Sequence, residues 1–186
     1  MSKIIKQFRP ALICLLVMTV ICGIVYTGLV TGIAQLIFPH QANGSIITVT
    51  LKDGTKKDYG SKLIEQEFTK QQYLIGRPMT VSNLSPTSDE QKKLVQQRIE
   101  WWHSFDPSNK ADIPTDLLTA SGSGVDPNIS PEAAEYQVAR IAKARNMSED
   151  AVRSVISKYT TGRFLGFIGE PAVNVLQVNL ALDGLI

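Results

Sequence analysis

The chain has 186 residues, 44% of them hydrophobic and 19% charged, with a formal net charge of +2. Its 13 Gly and 9 Pro are an ordinary globular share, which excludes collagen-like, low-complexity and disordered chains. Two Cys are too few for a disulfide scaffold, and so small a net charge gives no argument for a nucleic-acid partner.

The charge is unevenly spread. No charged residue lies between Arg9 and Lys52, and 21 of the 28 residues from Ala11 to Phe38 are apolar. At about 1.5 Å per residue, a helix of that length reaches roughly 42 Å, against about 30 Å of hydrocarbon in a bilayer. So long a core helix would be hard to cover in a small chain, so residues 10–38 are expected to cross a membrane. A secretory signal would carry an apolar run of about 7–15 residues closed by a small-x-small site. Here the run ends Gln35-Leu36-Ile37-Phe38-Pro39, with no such site. The expectation is an uncleaved, single-pass anchor in the cell membrane.

Lys3, Lys6 and Arg9 precede the span, and no Lys or Arg occurs between Pro39 and Leu51. The positive-inside rule then puts residues 1–9 in the cytoplasm and makes 39–186 an extracytoplasmic domain. Cys14 and Cys22 fall inside the span, which leaves the outer domain without cysteine. Within the span Thr19, Gly23, Thr27 and Thr31 recur every four residues, with Gly28 and Gly32 beside them. Gly and Thr are tolerated in membrane helices generally. Six of them on adjoining rows favour a packing face, because small side chains let another helix approach closely.

Past the span the pattern mixes strands and helices. Ile46–Leu51 is β-branched and bounded by Asn43-Gly44 and Asp53-Gly54, which predicts a strand with a hairpin return near Lys56–Tyr59. Ser61 is expected to cap a short helix through Leu63, Ile64, Glu67 and Phe68. Gly76-Arg77-Pro78 breaks regular structure, and Ser82–Ser88 is rich in turn residues. Ser88 with Gln91 has the capping-box spacing and opens a helix with Val95, Ile99 and Trp102 on one face, ended before Pro107. Trp101 and Trp102 are expected to pack in a core or groove rather than anchor at a membrane surface. Ser130-Pro131 starts another helix carrying Ala134, Val138 and Ile141, and Ser148 starts one with Val152, Val155, Ile156 and Tyr159. Val173–Leu182 is apolar enough for a buried closing strand. The fold class is therefore α+β: a single N-terminal transmembrane helix followed by one mixed α/β extracytoplasmic domain.

Motifs for chemistry are missing. The sequence has no G-x-x-x-x-G-K-[ST] phosphate loop, no G-x-G-x-x-G after a strand and no H-E-x-x-H. Only His40 and His103 could serve as histidine bases, and neither has a motif partner. The stretch Thr119–Pro127, with Ser121, Gly122, Ser123 and Gly124, has the small residues of an anion nest. Lacking a phosphate-loop Lys, it reads better as a tight loop ahead of a helix, with Asp126 fixing it by hydrogen bonds to backbone N–H groups. No catalytic, cofactor or metal residue is assigned.

Phe38-Pro39 followed by Gln41-Ala42-Asn43-Gly44-Ser45 resembles the C subunit of the bacterial Kdp potassium-transporting ATPase. The resemblance runs on through Gly60-Ser61-x-Leu63-Ile64-x-Gln66-x-Phe68, Gly76-Arg77-Pro78, Ile113-Pro114-x-Asp116-Leu117 and Ser121-Gly122-Ser123-Gly124-x-Asp126-Pro127. It continues at Gln137, Arg140 and Gly162-Arg163, and closes with Gly169-Glu170-Pro171-x-Val173-Asn174-Val175-Leu176 and Asn179-Leu180-Ala181-Leu182-Asp183. One departure is a short 79–85 loop where the family often has a longer one.

The resemblance implies a non-catalytic accessory subunit of a high-affinity, ATP-driven potassium importer. Its partners are then a potassium-channel-like subunit, a P-type ATPase subunit and the lipid bilayer. ATP and K⁺ are handled by those subunits, and this chain binds no cofactor directly. The family role of catalytic chaperone, promoting ATP use by the ATPase subunit, is then indirect, because the outer domain and ATP lie on opposite sides of the membrane. The motif loops Gln41, Asn43, Gly44, Ser121, Gly122, Gly124, Asp126 and Asn174 are the family's candidate functional positions. The alternative is a membrane-tethered extracytoplasmic binding or sensor module.

Overall fold

The structure, a computed structural model, describes residues 2–81 and 83–186; Met1 and Ser82, the latter within the predicted turn-rich segment, lie outside them. The chain divides into two compact units, Met1–Ile46 and Ile47–Ile186. The first is helical: α1 (Ser2–Met18), a π-helical stretch (Thr19–Tyr26), α2 (Thr27–Ile37) and a short α3 (Pro39–Ala42). From Phe8 to Ile37 it is apolar and long enough to cross a membrane, with none of its most apolar window buried by the rest of the chain.

The second unit is the body. It opens within the hairpin β1 (Ile46–Thr50) and β2 (Lys56–Ser61), whose first residue ends the first unit. Asp53 closes the turn, its Oδ1 accepting from the Thr55 backbone N at 2.9 Å and the Thr55 hydroxyl at 2.6 Å, while Gly54 takes φ +81°. That bears out the predicted strand pair.

The helix expected after Ser61 does not form. Ser61 Oγ accepts from the Leu63 backbone N at 3.1 Å, which makes a turn, and the described residues from there to Thr87 form no regular element, only isolated turns. Leu63 and Ile64 are exposed and only Phe68 of the expected apolar face reaches the core. Other elements supply the segment's backbone partners. Asn179 accepts from Leu74 N and donates to Leu74 O, both at 2.8 Å. Gln137 accepts from Ile75 N at 2.9 Å and donates to Ile75 O at 3.0 Å. Arg140 donates to the carbonyls of Gln71 and Tyr73, and Arg145 to that of Gln72 at 2.7 Å. Side chains thus do for Gln71–Ile75 what a neighbouring strand does in a sheet.

Helix α4 (Asp89–Phe105) begins as its capping sequence predicts, with Ser88 Oγ accepting from Gln91 N at 3.2 Å. Its inner face ends in Trp102, buried edge-on against Tyr136 and donating from Nε1 to Leu117 O at 3.2 Å. After the single turn α5 (Thr115–Leu118) and strand β3 (Asn128–Ile129), Ser130 caps α6 (Pro131–Glu135). The predicted helix through Ile141 is interrupted at Tyr136–Gln137 and resumes as α7 (Val138–Arg145). Gln137 compensates by donating from its side chain to Ala133 O at 3.1 Å. Asn146, at φ +53°, ends α7 with the left-handed cap, and Ser148 caps α8 (Glu149–Lys158).

The expected closing strand is a strand for only three residues. Ala172–Asn174 forms β5, the centre of a small antiparallel sheet between β3 and β4 (Thr160–Thr161). Asn174 then caps α9 (Val175–Leu182), accepting at Oδ1 from Gln177 N at 3.0 Å. Six of the eight α9 residues are buried, so the helix is apolar on nearly every side. A segment buried all round carries no period that separates helix from strand.

The core joins Leu74, Trp102, Leu117, Ile129, Ile141, Val152, Val173 and Val178 from nearly every element of the body. Arg140, 6% exposed, is pushed down to about 10 by burial, against the opposing pull of Asp106 and Tyr136. The α+β class is borne out.

Asn179 is 1% exposed and holds both polar groups of Leu74. Asn179→Leu leaves a buried N–H and C=O without partners, at about 1–3 kcal/mol each. Urea unfolding of the full chain in detergent, followed by tryptophan emission, should show a loss of about 2–4 kcal/mol. A loss within about 0.5 kcal/mol, the range of a surface substitution, would contradict the role.

Candidate functional site

The candidate positions fall in three places. The first is the span. Gly28 and Gly32 lie in α2, where residues four apart share a face, and a Cβ at either would meet nothing within 4 Å. Thr31 stands exposed on the same helix. Thr19 and Gly23 lie in the π-helical stretch, whose i→i+5 bonding widens the turn and changes the offset of residues four apart. Thr27, where α-helix resumes, donates from its hydroxyl to Cys22 O at 2.9 Å. In hydrocarbon that bond matters, since no water is present to satisfy a carbonyl displaced from the ladder.

The second place is the turn that follows. Asn43 and Gln35 exchange side-chain amide hydrogen bonds at 3.1 and 3.2 Å, and Asn43 Nδ2 also donates to Pro39 O at 2.7 Å. Gly44 takes φ +84°, and its N–H donates to Gln41 O at 3.0 Å. Asn43 and Gly44 are therefore what turns the chain out of the helix. Gln41 contributes its backbone carbonyl, and its side chain is exposed.

The third place is the body. Ser121 Oγ accepts from Gly124 N at 2.9 Å and Ser123 Oγ from Val125 N at 3.3 Å, so the loop's own hydroxyls take up N–H groups that a nest would aim at an anion. Gly124, at φ +71°, comes so close to Val81 that a Cβ would stand 2.5 Å from its Cγ2, whereas Gly122 faces open space. Asp126 Oδ1 accepts from Asn128 N at 3.0 Å, as the turn chemistry predicts. Asn174 donates to Lys62 O at 2.9 Å and reaches Asn128 Oδ1 at 3.4 Å. Asn128 thus brings Asp126 and Asn174 together. All these groups shape loops. Among the described residues, no three His, Cys, Asp or Glu side chains group as metal ligands would.

Sequence patterning missed a fourth feature. Between β4 and β5, residues 163–170 form a narrow hairpin in which Phe164 and Ile168 exchange backbone hydrogen bonds at 2.8 and 2.9 Å. An ion pair between Arg163 Nη2 and Glu170 Oε2, at 2.7 Å, closes its base. Its tip carries Phe164, Leu165 and Phe167, each about 70% exposed, and Ile168 at 50%. Leu165 also sits at φ +53°, a conformation that is rare for a bulky residue. Four large apolar side chains exposed together on a hairpin mark an interaction surface rather than an incidental one. The available signal was a run of apolar residues around a Gly, framed by opposite charges.

Comparison with known proteins accounts for the pattern. Residues 8–184 match the family model KdpC, described as K⁺-transporting ATPase, c chain. A potassium-transporting ATPase KdpC subunit from Listeria welshimeri is 53% identical, the match covering 100% of this chain and 99% of that one. Those of Clostridium perfringens and Methylococcus capsulatus are 49% and 48% identical, each match covering 97% of this chain and 98–99% of the relative. A match this long, at about half identity across distant bacteria, shows that the chain belongs to the KdpC family, the c chain of K⁺-transporting ATPases.

Proposed function

We propose that this accessory chain of a K⁺-transporting ATPase acts by docking: it crosses the membrane once with its N-terminus in the cytoplasm and packs on the pump's other subunits. The observation that carries this is the span, apolar over Phe8–Ile37 and uncovered by its own chain, with Gly28 and Gly32 open on one face. A helix interface in lipid relies on close packing at such residues, since lipid and side chains are equally apolar. The 164–168 tip adds a second surface, on the body, suited to an apolar patch of a channel-like or P-type subunit. ATP use by the P-type subunit is promoted indirectly. The bases at 3, 6 and 9 support a cytoplasmic N-terminus, and with the body then across the membrane from ATP, any effect travels through differential packing on the subunit that binds it.

Gly28→Leu fills the open face while keeping the helix apolar. Membrane insertion should persist, and recovery of the other pump subunits with the tagged chain should fall at least several-fold, with Leu16→Ile as the control. Phe164→Ser with Phe167→Ser should weaken recovery similarly, because exposed aromatic anchors carry a large share of interface energy. Wild-type recovery with both variants would contradict docking by these faces.

Orientation is tested separately at Lys110, an exposed position of the body. A Lys110→Cys variant lacking Cys14 and Cys22 should react with an impermeant thiol reagent in cells whose inner membrane is intact. Reaction only after inner-membrane lysis would reverse the topology.

A further inference from the structure

Between the irregular segment around 65–79 and helix α4 lies a cavity of about 280 Å³. Phe68, Met79, Trp101 and Trp102 make its apolar wall, and Glu65, on the same segment as Phe68, also lines it. Glu65 is only 4% exposed, and among the described residues its Oε2 has no hydrogen-bond partner. Its position is built in from two sides. The Glu65 backbone N donates to Val125 O at 3.0 Å, and a Cβ on residue 76 would stand 2.1 Å from Glu65 Oε1, so only Gly76 leaves room for the carboxyl. Buried polar atoms without partners are rare, and each calls for a reason.

The surrounding charges indicate what the carboxyl can take. Arg77 donates from Nη1 to Asp116 Oδ1 at 3.0 Å and from Nη2 to Thr119 Oγ1 at 3.4 Å, and among the described residues its Nε has no partner. Arg98 spends its donors on Leu118 O at 2.6 Å and Thr80 Oγ1 at 3.2 Å. Asp126 and Glu67 add negative charge near Glu65 and on the cavity lining. An anion would therefore find guanidiniums whose terminal nitrogens are already engaged, beside the repelling Glu65 and Glu67 carboxylates. A bare metal ion would find only the Glu65 and Glu67 carboxyls beside aromatic rings, short of the six or more oxygens a hard cation needs. An organic cation meets both walls, since aromatic rings attract cations and accommodate alkyl groups.

We propose that this cavity binds a primary ammonium on a short apolar stem, with the ammonium donating to Glu65 Oε2 and the stem lying against Trp101, Met79 and Phe68. The terminal torsion of a glutamate is soft, so the carboxyl can turn its free oxygen to an entering donor. The source is either a free alkylamine or a lysine side chain presented by another subunit. Burial, and then Asp126, push the Glu65 carboxyl up to about 7, while the Arg77 charge and backbone N–H pull it down. An alkylammonium keeps its charge at that pH, so binding must strengthen as pH rises through about 7 and Glu65 ionises.

Trp101 and Trp102 are the chain's only tryptophans, so emission of the full chain in detergent reads the cavity directly. Titration with n-butylammonium should shift that emission saturably, about ten-fold more tightly at pH 8 than at pH 6. Glu65→Gln should lose about ten-fold or more in affinity and abolish the pH dependence. Neutral 1-pentanol, of similar size, should bind wild type no better than it binds Glu65→Gln, a comparison that stands even where the variant folds poorly. Saturation by the alcohol as tight as by the amine, or an amine response independent of pH, would overturn the proposal. The source is then read in the assembled pump with a carbodiimide, which joins a carboxyl to an adjacent amine and takes up the water released. A Glu65 crosslink to another subunit's lysine assigns the ligand to that subunit; no crosslink beside an intact titration assigns it to a free amine. Only the crosslink depends on the docking account, so the two can fail independently.

Discussion

Two buried amides, Gln137 and Asn179, hold the body together by acting as a strand's edge. Each both accepts from and donates to one residue of an otherwise unpaired segment, Asn179 at Leu74 and Gln137 at Ile75. An extended stretch through a core must place every N–H and C=O, since a buried group without a partner costs more than a surface contact returns. Arg140 and Arg145 extend the arrangement to Gln71, Gln72 and Tyr73, and Arg145 ties in the end of α9 through Leu182 O at 2.7 Å. The segment is thereby locked to α7 and α9 at once. The other features depend on it: the glutamate cavity is walled by the continuation of this segment, and the last helix is pinned against it.

For an accessory chain this division of labour is coherent. The body spends its polar groups on shaping loops: Ser121 and Ser123 close one, Asp126 sets the turn before β3, and Asn174 joins a strand to a helix cap. The chain's exposed large apolar side chains cluster in the span and at the tip around 164–168. Loops closed by their own side chains, and apolar surfaces left exposed on each unit, suit an accessory chain that positions others.

The elements legible in the sequence are those with local signatures. Ser88, Ser130 and Ser148 each cap the helix their spacing announces, and Asp53-Gly54 closes the first hairpin. The failures share a cause. Ser61 begins a turn rather than a helix, and Leu74 and Ile75 further on are satisfied by residues more than sixty positions away, which no local pattern encodes. Val175–Leu182 is buried on nearly every side, so its apolar run erases the period that distinguishes helix from strand. The motif residues could be picked out by likeness, but not their work. Asn43 turns out to bind back to Gln35, while Gln137 and Asn179 gave no sign in composition or spacing that they pair with backbone. The hairpin tip was masked because an apolar run reads as core until the structure shows that nothing packs on it.

Amide hydrogen exchange in the full chain, held in detergent, tests this organisation most directly. Leu74 and Ile75 belong to no regular element, so in an ordinary loop their N–H groups would exchange as fast as that of Leu63. If the side-chain amides act as a strand's edge, both should instead open only with global unfolding, protected to the same degree as Ile141 in α7. Exchange at Leu74 and Ile75 as fast as at Leu63, with Ile141 still protected, would contradict the account.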